Sequence, residues 1–147
     1  MFQRQQTIFM ALTILLIAAS YFLPFGEVGG LPLGSYGVKR DGVFIPEINT
    51  YWFHIAFFLV FLLVLLAMFQ FKNRPRQMAM IRSTFILFAV GFGLLAFYIR
   101  SATTFLHAEF SPGVSVFLPF AAMLTTWLAL RGIRKDDQLI RSVDRIR

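Results

Sequence analysis

The sequence predicts an all-α integral membrane protein: a bundle of four transmembrane helices in one domain over residues 1–147, with both termini cytoplasmic. Three observations point there. Hydrophobic residues make up 58% of the chain and charged residues only 14%, where an ordinary soluble domain carries about 25% charged. The apolar surplus is gathered into four uncharged runs, residues 7–25, 51–71, 83–99 and 110–130, each close to the roughly 20 helical residues that cross a hydrocarbon core. Finally, 11 of the 14 Lys and Arg residues lie by the N-terminus, in the 72–82 connection and in the tail from Arg131, leaving Lys39, Arg40 and Arg100 for the other side. That bias places the basic side in the cytoplasm. The same balance excludes a disordered chain, a coiled coil and an ordinary soluble enzyme. The net charge of +7 reads as orientation and attraction to anionic lipid, not as a nucleic-acid footprint. With no cysteine in the chain, disulfides, thiolate metal sites and cysteine nucleophiles are excluded.

The first helix is expected over residues 7–25. A cleavable signal peptide processed near Ala18-Ala19-Ser20 is the competing reading, but the run is longer than a usual signal core of about 7–15 residues. An outer loop over 26–50 follows, rich in Gly with Pro32 and Pro46, so turns are expected there. Within it, Ser35–Val38 and Val43–Ile45 flank Lys39-Arg40-Asp41-Gly42, a signal for a small β-hairpin. The second helix is expected over 51–71. Pro75, in a short basic turn, makes the third (80–105) its antiparallel neighbour. The fourth is expected over 112–131, bent near its outer end by Pro119. Tyr21, Tyr51, Trp52, Tyr98 and Trp127 fall near helix ends as interfacial anchors.

Helices in lipid associate through small residues. The third offers Ala89, Gly93 and Ala96, the fourth Ala121, Thr125 and Ala129, and these two faces are expected to meet or, alternatively, to pack another protein. The basic tail, residues 132–147, is expected to be amphipathic. Leu139, Ile140, Val143 and Ile146 lie on one face, with Arg141 and Arg145 among the flanking residues. Such a helix lies on a lipid surface or docks a partner.

Chemistry is sparse. The runs hold no ionisable residue of the kind that marks a proton path or ion site, apart from Arg100 at a margin. His54 and His107 sit in no metal-binding or nucleophile pattern. The cluster worth naming is Arg100, His107 and Glu109, with His54, at the outer helix ends; it would serve an anionic ligand or a lipid headgroup, or be simple interfacial ion pairing. No catalytic residue, metal site or cofactor is expected, the chain is not expected to be an enzyme, and neither nucleic acid nor a small-molecule substrate is indicated. The expected partners are membrane lipids and other integral membrane subunits.

Met1–Thr7, Phe71-Lys72-Asn73-Arg74 with Gln77, Phe117-Leu118-Pro119-Phe120, and the tail Lys135-Asp136 followed by Leu139-Ile140-Arg141-Ser142-Val143-Asp144-Arg145 form an ordered set. It resembles a family of small four-helix membrane proteins of unknown function from Bacteroidota. Gln5 and Val143 depart from that family's pattern. The resemblance implies a bacterial inner-membrane topology and carries no site residues. The expectation is a non-catalytic accessory or scaffold subunit of a larger membrane complex; the alternative is a protein that binds lipid or a small ligand at the outer polar cluster.

Overall fold

The computed structural model describes residues 2–34, 36–40, 43–45, 48 and 50–144. It is mostly helical: α1 (Phe2–Phe22), α2 (Tyr51–Phe69), α3 (Arg74–Leu106) and α4 (Leu118–Asp144). All four are long and apolar enough to cross a membrane. Between α1 and α2 run β1 (Gly26–Val28), β2 (Leu31–Gly34), β3 (Gly37–Arg40) and β4 (Val43–Phe44), and β5 (Phe110–Pro112) lies between α3 and α4.

The all-α expectation therefore needs correcting. The strands form one five-stranded sheet in the order β4-β3-β2-β1-β5, and the expected hairpin, β3 with β4, is only its edge. Positive φ at Gly29 and Gly30 closes the β1–β2 hairpin, the conformation a two-residue hairpin turn needs. β5 then pairs antiparallel with β1, Glu27 opposite Ser111. The sheet buries Val28, Leu33 and Val38, with Ile48, against Ala102 of α3.

Helix ends differ from expectation for identifiable reasons. α3 begins at Arg74 because Asn73 Oδ1 accepts the Arg76 amide at 3.3 Å and Pro75 fills a first-turn position, where its missing N–H costs nothing. At its far end, His107 takes φ 49° and closes the helix. At about 1.5 Å per residue, α3 is some 20 Å longer than α2, and this excess carries the sheet. α4 begins at Leu118, after a 3-10 turn over Val114–Phe117. Pro119 is thus its second residue, not an internal one, and removes the reason for a bend. α4 also continues past residue 131 to Asp144, so the tail belongs to the bundle helix; an isolated Gly132 does not stop it.

The helices run up and down around a closed ring. α1 packs chiefly on α4 and α2 on α3, with α1–α2 and α3–α4 completing it. Buried residues recur at alternating spacings of four and three: Gln6, Met10, Thr13, Ile17 and Ser20 on α1, and Gln77, Ile81, Thr84, Phe88, Gly91, Leu95, Tyr98 and Ala102 on α3. This 3.5-residue repeat is the packing seam of a left-handed bundle. Away from the seams the surface stays apolar, with Leu15, Phe58, Ile86 and Leu124 all exposed.

Candidate functional site

The sheet end carries an aromatic notch around His54. The first turn of α2 presents this imidazole, whose Nδ1 lies 3.1 Å from Thr50 O. Since a carbonyl oxygen accepts, Nδ1 is the donor of this contact. Nε2 is buried and has no partner among the described residues. Tyr21 from α1 meets the ring edge-on, 5.1 Å between centroids, and its hydroxyl donates to His54 O at 2.8 Å. Tyr36, just before β3, lies 5.0 Å from the imidazole. A cavity of about 390 Å³ opens there, lined by Tyr36, Phe44, Thr50, Tyr51 and His54. Lys39 Nζ sits over the Phe44 ring, 4.7 Å from its centroid. Such a notch can hold a flat or apolar group and offers it one imidazole nitrogen for a hydrogen bond. Its described lining has no acid to share a proton with the imidazole.

The other residues of the expected polar cluster do not join His54. Arg100 is exposed beside Phe97, Ser101, Thr104 and Phe105, His107 caps α3, and Glu109 is exposed just beyond it. Arg100 and Glu109 form no ion pair among the described residues, because the chain turns at His107 toward β5 and carries Glu109 off the helix face that holds Arg100.

The two small-residue faces also part company. Thr125 and Ala129 are buried and Ala121 half-buried, but α4 turns this side to α1: Thr125 Oγ1 meets Thr13 Oγ1 at 2.7 Å, and Thr126 Oγ1 reaches the same atom at 3.3 Å. Each hydroxyl has a single proton, and a carbonyl of its own helix is the alternative acceptor: Phe9 O at 2.9 Å for Thr13 and Ala122 O at 2.7 Å for Thr126. Thr13 is the α1 hydroxyl that meets this face of α4. Ala89, Gly93 and Ala96 are exposed. In the tail, Leu139 and Ile140 are exposed on the last turns of α4; Arg145, Ile146 and the side chains of Arg141 and Val143 lie outside the described residues.

Sequence reasoning missed the Thr13–Thr125–Thr126 cluster and the aromatic neighbours of His54. A signal for the first was present: Gln6, Thr13 and Ser20 stand seven apart on α1.

No curated protein and no solved structure matches the chain. One family model does, over residues 2–146, and it covers helices and sheet alike; the chain belongs to the family described as Domain of unknown function (DUF4293).

Proposed function

We propose that this chain is a multi-pass protein of the bacterial inner membrane, with both termini cytoplasmic, serving as a non-catalytic accessory or scaffold subunit of a larger membrane assembly. The observation that carries the reading is the mismatch between apolarity and burial. In each of the four apolar helix windows only 28–44% of the residues are buried, so most of the apolar surface needs lipid or another protein. The Lys and Arg bias supports the orientation. A closed seam supports a non-catalytic role: Phe57, Phe88 and Val60 fill it and the threonines bond one another, which describes a core rather than a passage. The outward α3 face, where a Cβ on Gly93 would meet nothing, is a surface on which a second helix packs closely.

Two measurements test this. Because the chain has no cysteine, single substitutions report sidedness: an impermeant maleimide should label Glu27→Cys in intact cells, and Ser142→Cys only after permeabilisation. Native mass after mild extraction should exceed the monomer and fall to it in Gly93→Leu; a lone monomer in both chains refutes the subunit role.

A second reading, binding of lipid or a small ligand at the sheet end, is favoured by the unpartnered His54 Nε2. It moves the site from Arg100 to the aromatic notch. Co-purified small molecules should be lost in His54→Phe, and Arg100→Ala should retain them.

A further inference from the structure

At the end of the bundle opposite the sheet, a cavity of about 250 Å³ opens where α1, α3 and α4 approach the α2–α3 turn. Its lining combines Gln6, Arg74, Gln77 and Asp136 with Phe69 and Phe71. Gln6 is only 6% exposed, and its Nε2 has no hydrogen-bond partner among the described residues. Gln77, beside it, is committed: its Nε2 donates to Ala67 O at 3.0 Å and closes the end of α2. Room for Gln6 comes from Gly132, where a Cβ would fall 2.9 Å from Gln6 Cγ. Arg74 Nη1 lies 2.8 Å from Asp136 Oδ2. That nitrogen is buried, and the contact is an ion pair with no aligned N–H···O hydrogen bond from it.

The cavity thus contains one buried donor with no acceptor among the described residues, the Gln6 amide, an unfavourable arrangement, and beside it an ion pair that is neutral overall. A ligand that keeps such a site neutral carries both signs: an anionic acceptor for the Gln6 amide next to the Arg74 guanidinium, and a cation next to the Asp136 carboxylate. Phe69 and Phe71, both exposed, supply apolar surface nearby. The volume corresponds to about eight water-sized groups, which suits a headgroup and not a whole lipid. We propose that this cavity binds the phosphoethanolamine headgroup of a membrane phospholipid. Its phosphodiester oxygens accept from Gln6 Nε2 and Arg74, its primary ammonium donates to Asp136, and its acyl chains run over Phe69. A purely anionic headgroup would face the Asp136 carboxylate, and a choline has no N–H to give it. The inference rests on the membrane reading, which puts this end of the bundle at the bilayer surface.

The test uses the full chain in nanodiscs holding equal amounts of dioleoyl phosphatidylethanolamine, phosphatidylglycerol and phosphatidylcholine, with retained lipids counted by native mass spectrometry. The ethanolamine lipid should be retained about tenfold over either competitor, the size expected for charge-assisted hydrogen bonds. Gln6→Leu should lower that retention about tenfold, and Asp136→Asn should abolish the preference over choline. Equal retention of the three lipids by the wild type overturns the proposal without reference to any variant, so a misfolded Gln6→Leu leaves it decidable. Unchanged retention in a folded Gln6→Leu overturns it as well. Inorganic phosphate at millimolar concentration should not displace the lipid; if it does, the ligand is a free phosphate and the lipid assignment falls. A chain that fails to co-float with vesicles refutes the membrane reading itself, whereas one that floats but shows no headgroup preference refutes only this site.

Discussion

Between α1 and α4 the contact is made by small and hydroxyl-bearing side chains; between α2 and α3 it is made by aromatic rings. Thr13, Thr125 and Thr126 tie the first pair with hydroxyl contacts, and Ala122 and Ala129 let the backbones approach. In the second pair Phe57 packs edge-on against Phe88, 5.9 Å between centroids, and presses on Gly91, where any Cβ would collide with its ring. These are two solutions to one difficulty. When the outward faces are as apolar as the inward ones, burial of apolar area does not tell a helix which side to turn inward. The α1–α4 pair answers with directional hydrogen bonds, the α2–α3 pair with a ring in a notch.

The aromatic pair should give the largest effects. Phe57 is fully buried and touches the rings of Phe53, Phe88 and Phe92. Phe57→Ala is expected to cost about 3–5 kcal/mol, read as an earlier midpoint in a detergent-denaturation titration. A loss below about 1 kcal/mol would mean that the ring does not organise the α2–α3 contact. Next in size, Gly91→Ala inserts a methyl into that ring and should cost about 1–3 kcal/mol. In the Phe57→Ala background the same change should become nearly neutral, since its obstacle is gone; a double-mutant cycle measures this coupling directly.

The hydroxyl pair should respond more gently. Thr13→Val keeps the shape and removes the oxygen shared with Thr125 and Thr126, at an expected cost of about 0.6–1.7 kcal/mol. Coupling between Thr13→Val and Thr125→Val should be of similar size, and near-zero coupling would reduce the cluster to chance proximity. The order matters more than the values: shape should outweigh hydrogen bonding here, because a helix that loses its interhelical partner still offers each hydroxyl a carbonyl of its own, Phe9 O for Thr13 and Ala122 O for Thr126.

The same physics decides what could be read from the sequence. The helices were legible because uncharged runs of such length have few other uses, and their order around the ring follows from short or end-capping connections. The sheet was mostly not legible: its strands are two to four residues long, too short for alternation to register, and β5 reaches β1 from the far side of two helices. Of the site, His54 was visible as a histidine at a helix start, but its neighbours Tyr21, from α1, and Tyr36, from just before β3, meet it only in the folded chain. The helix faces failed for a subtler reason. On α3 two stripes have seam-like spacing, Gln77-Thr84-Gly91 and Ala89-Gly93-Ala96, and an almost uniformly apolar helix gives no gradient to choose between them. On the inward stripe Gln77 finds a partner on the neighbouring helix, Ala67 O of α2 at 3.0 Å, whereas the other stripe has no polar side chain to pair.

Two glycines on α3 bring the comparison to its smallest and sharpest form. Gly91 and Gly93 stand two residues apart, hence about 160° apart around the helix, one pressed under Phe57 and the other facing open space. Intrinsic helix propensity favours Ala over Gly by about 1 kcal/mol at either position. At Gly93 nothing opposes that gain, so Gly93→Ala should stabilise the isolated chain by about 0.5–1 kcal/mol, with the opposite sign to Gly91→Ala in the same titration. Both changes add one methyl to the same helix, so only the inward or outward direction of the site separates them. If Gly93→Ala also destabilised the isolated chain, the face bearing Ala89, Gly93 and Ala96 would be packed inside the bundle. The seam drawn through Gln77, Thr84 and Gly91 would then be the wrong one.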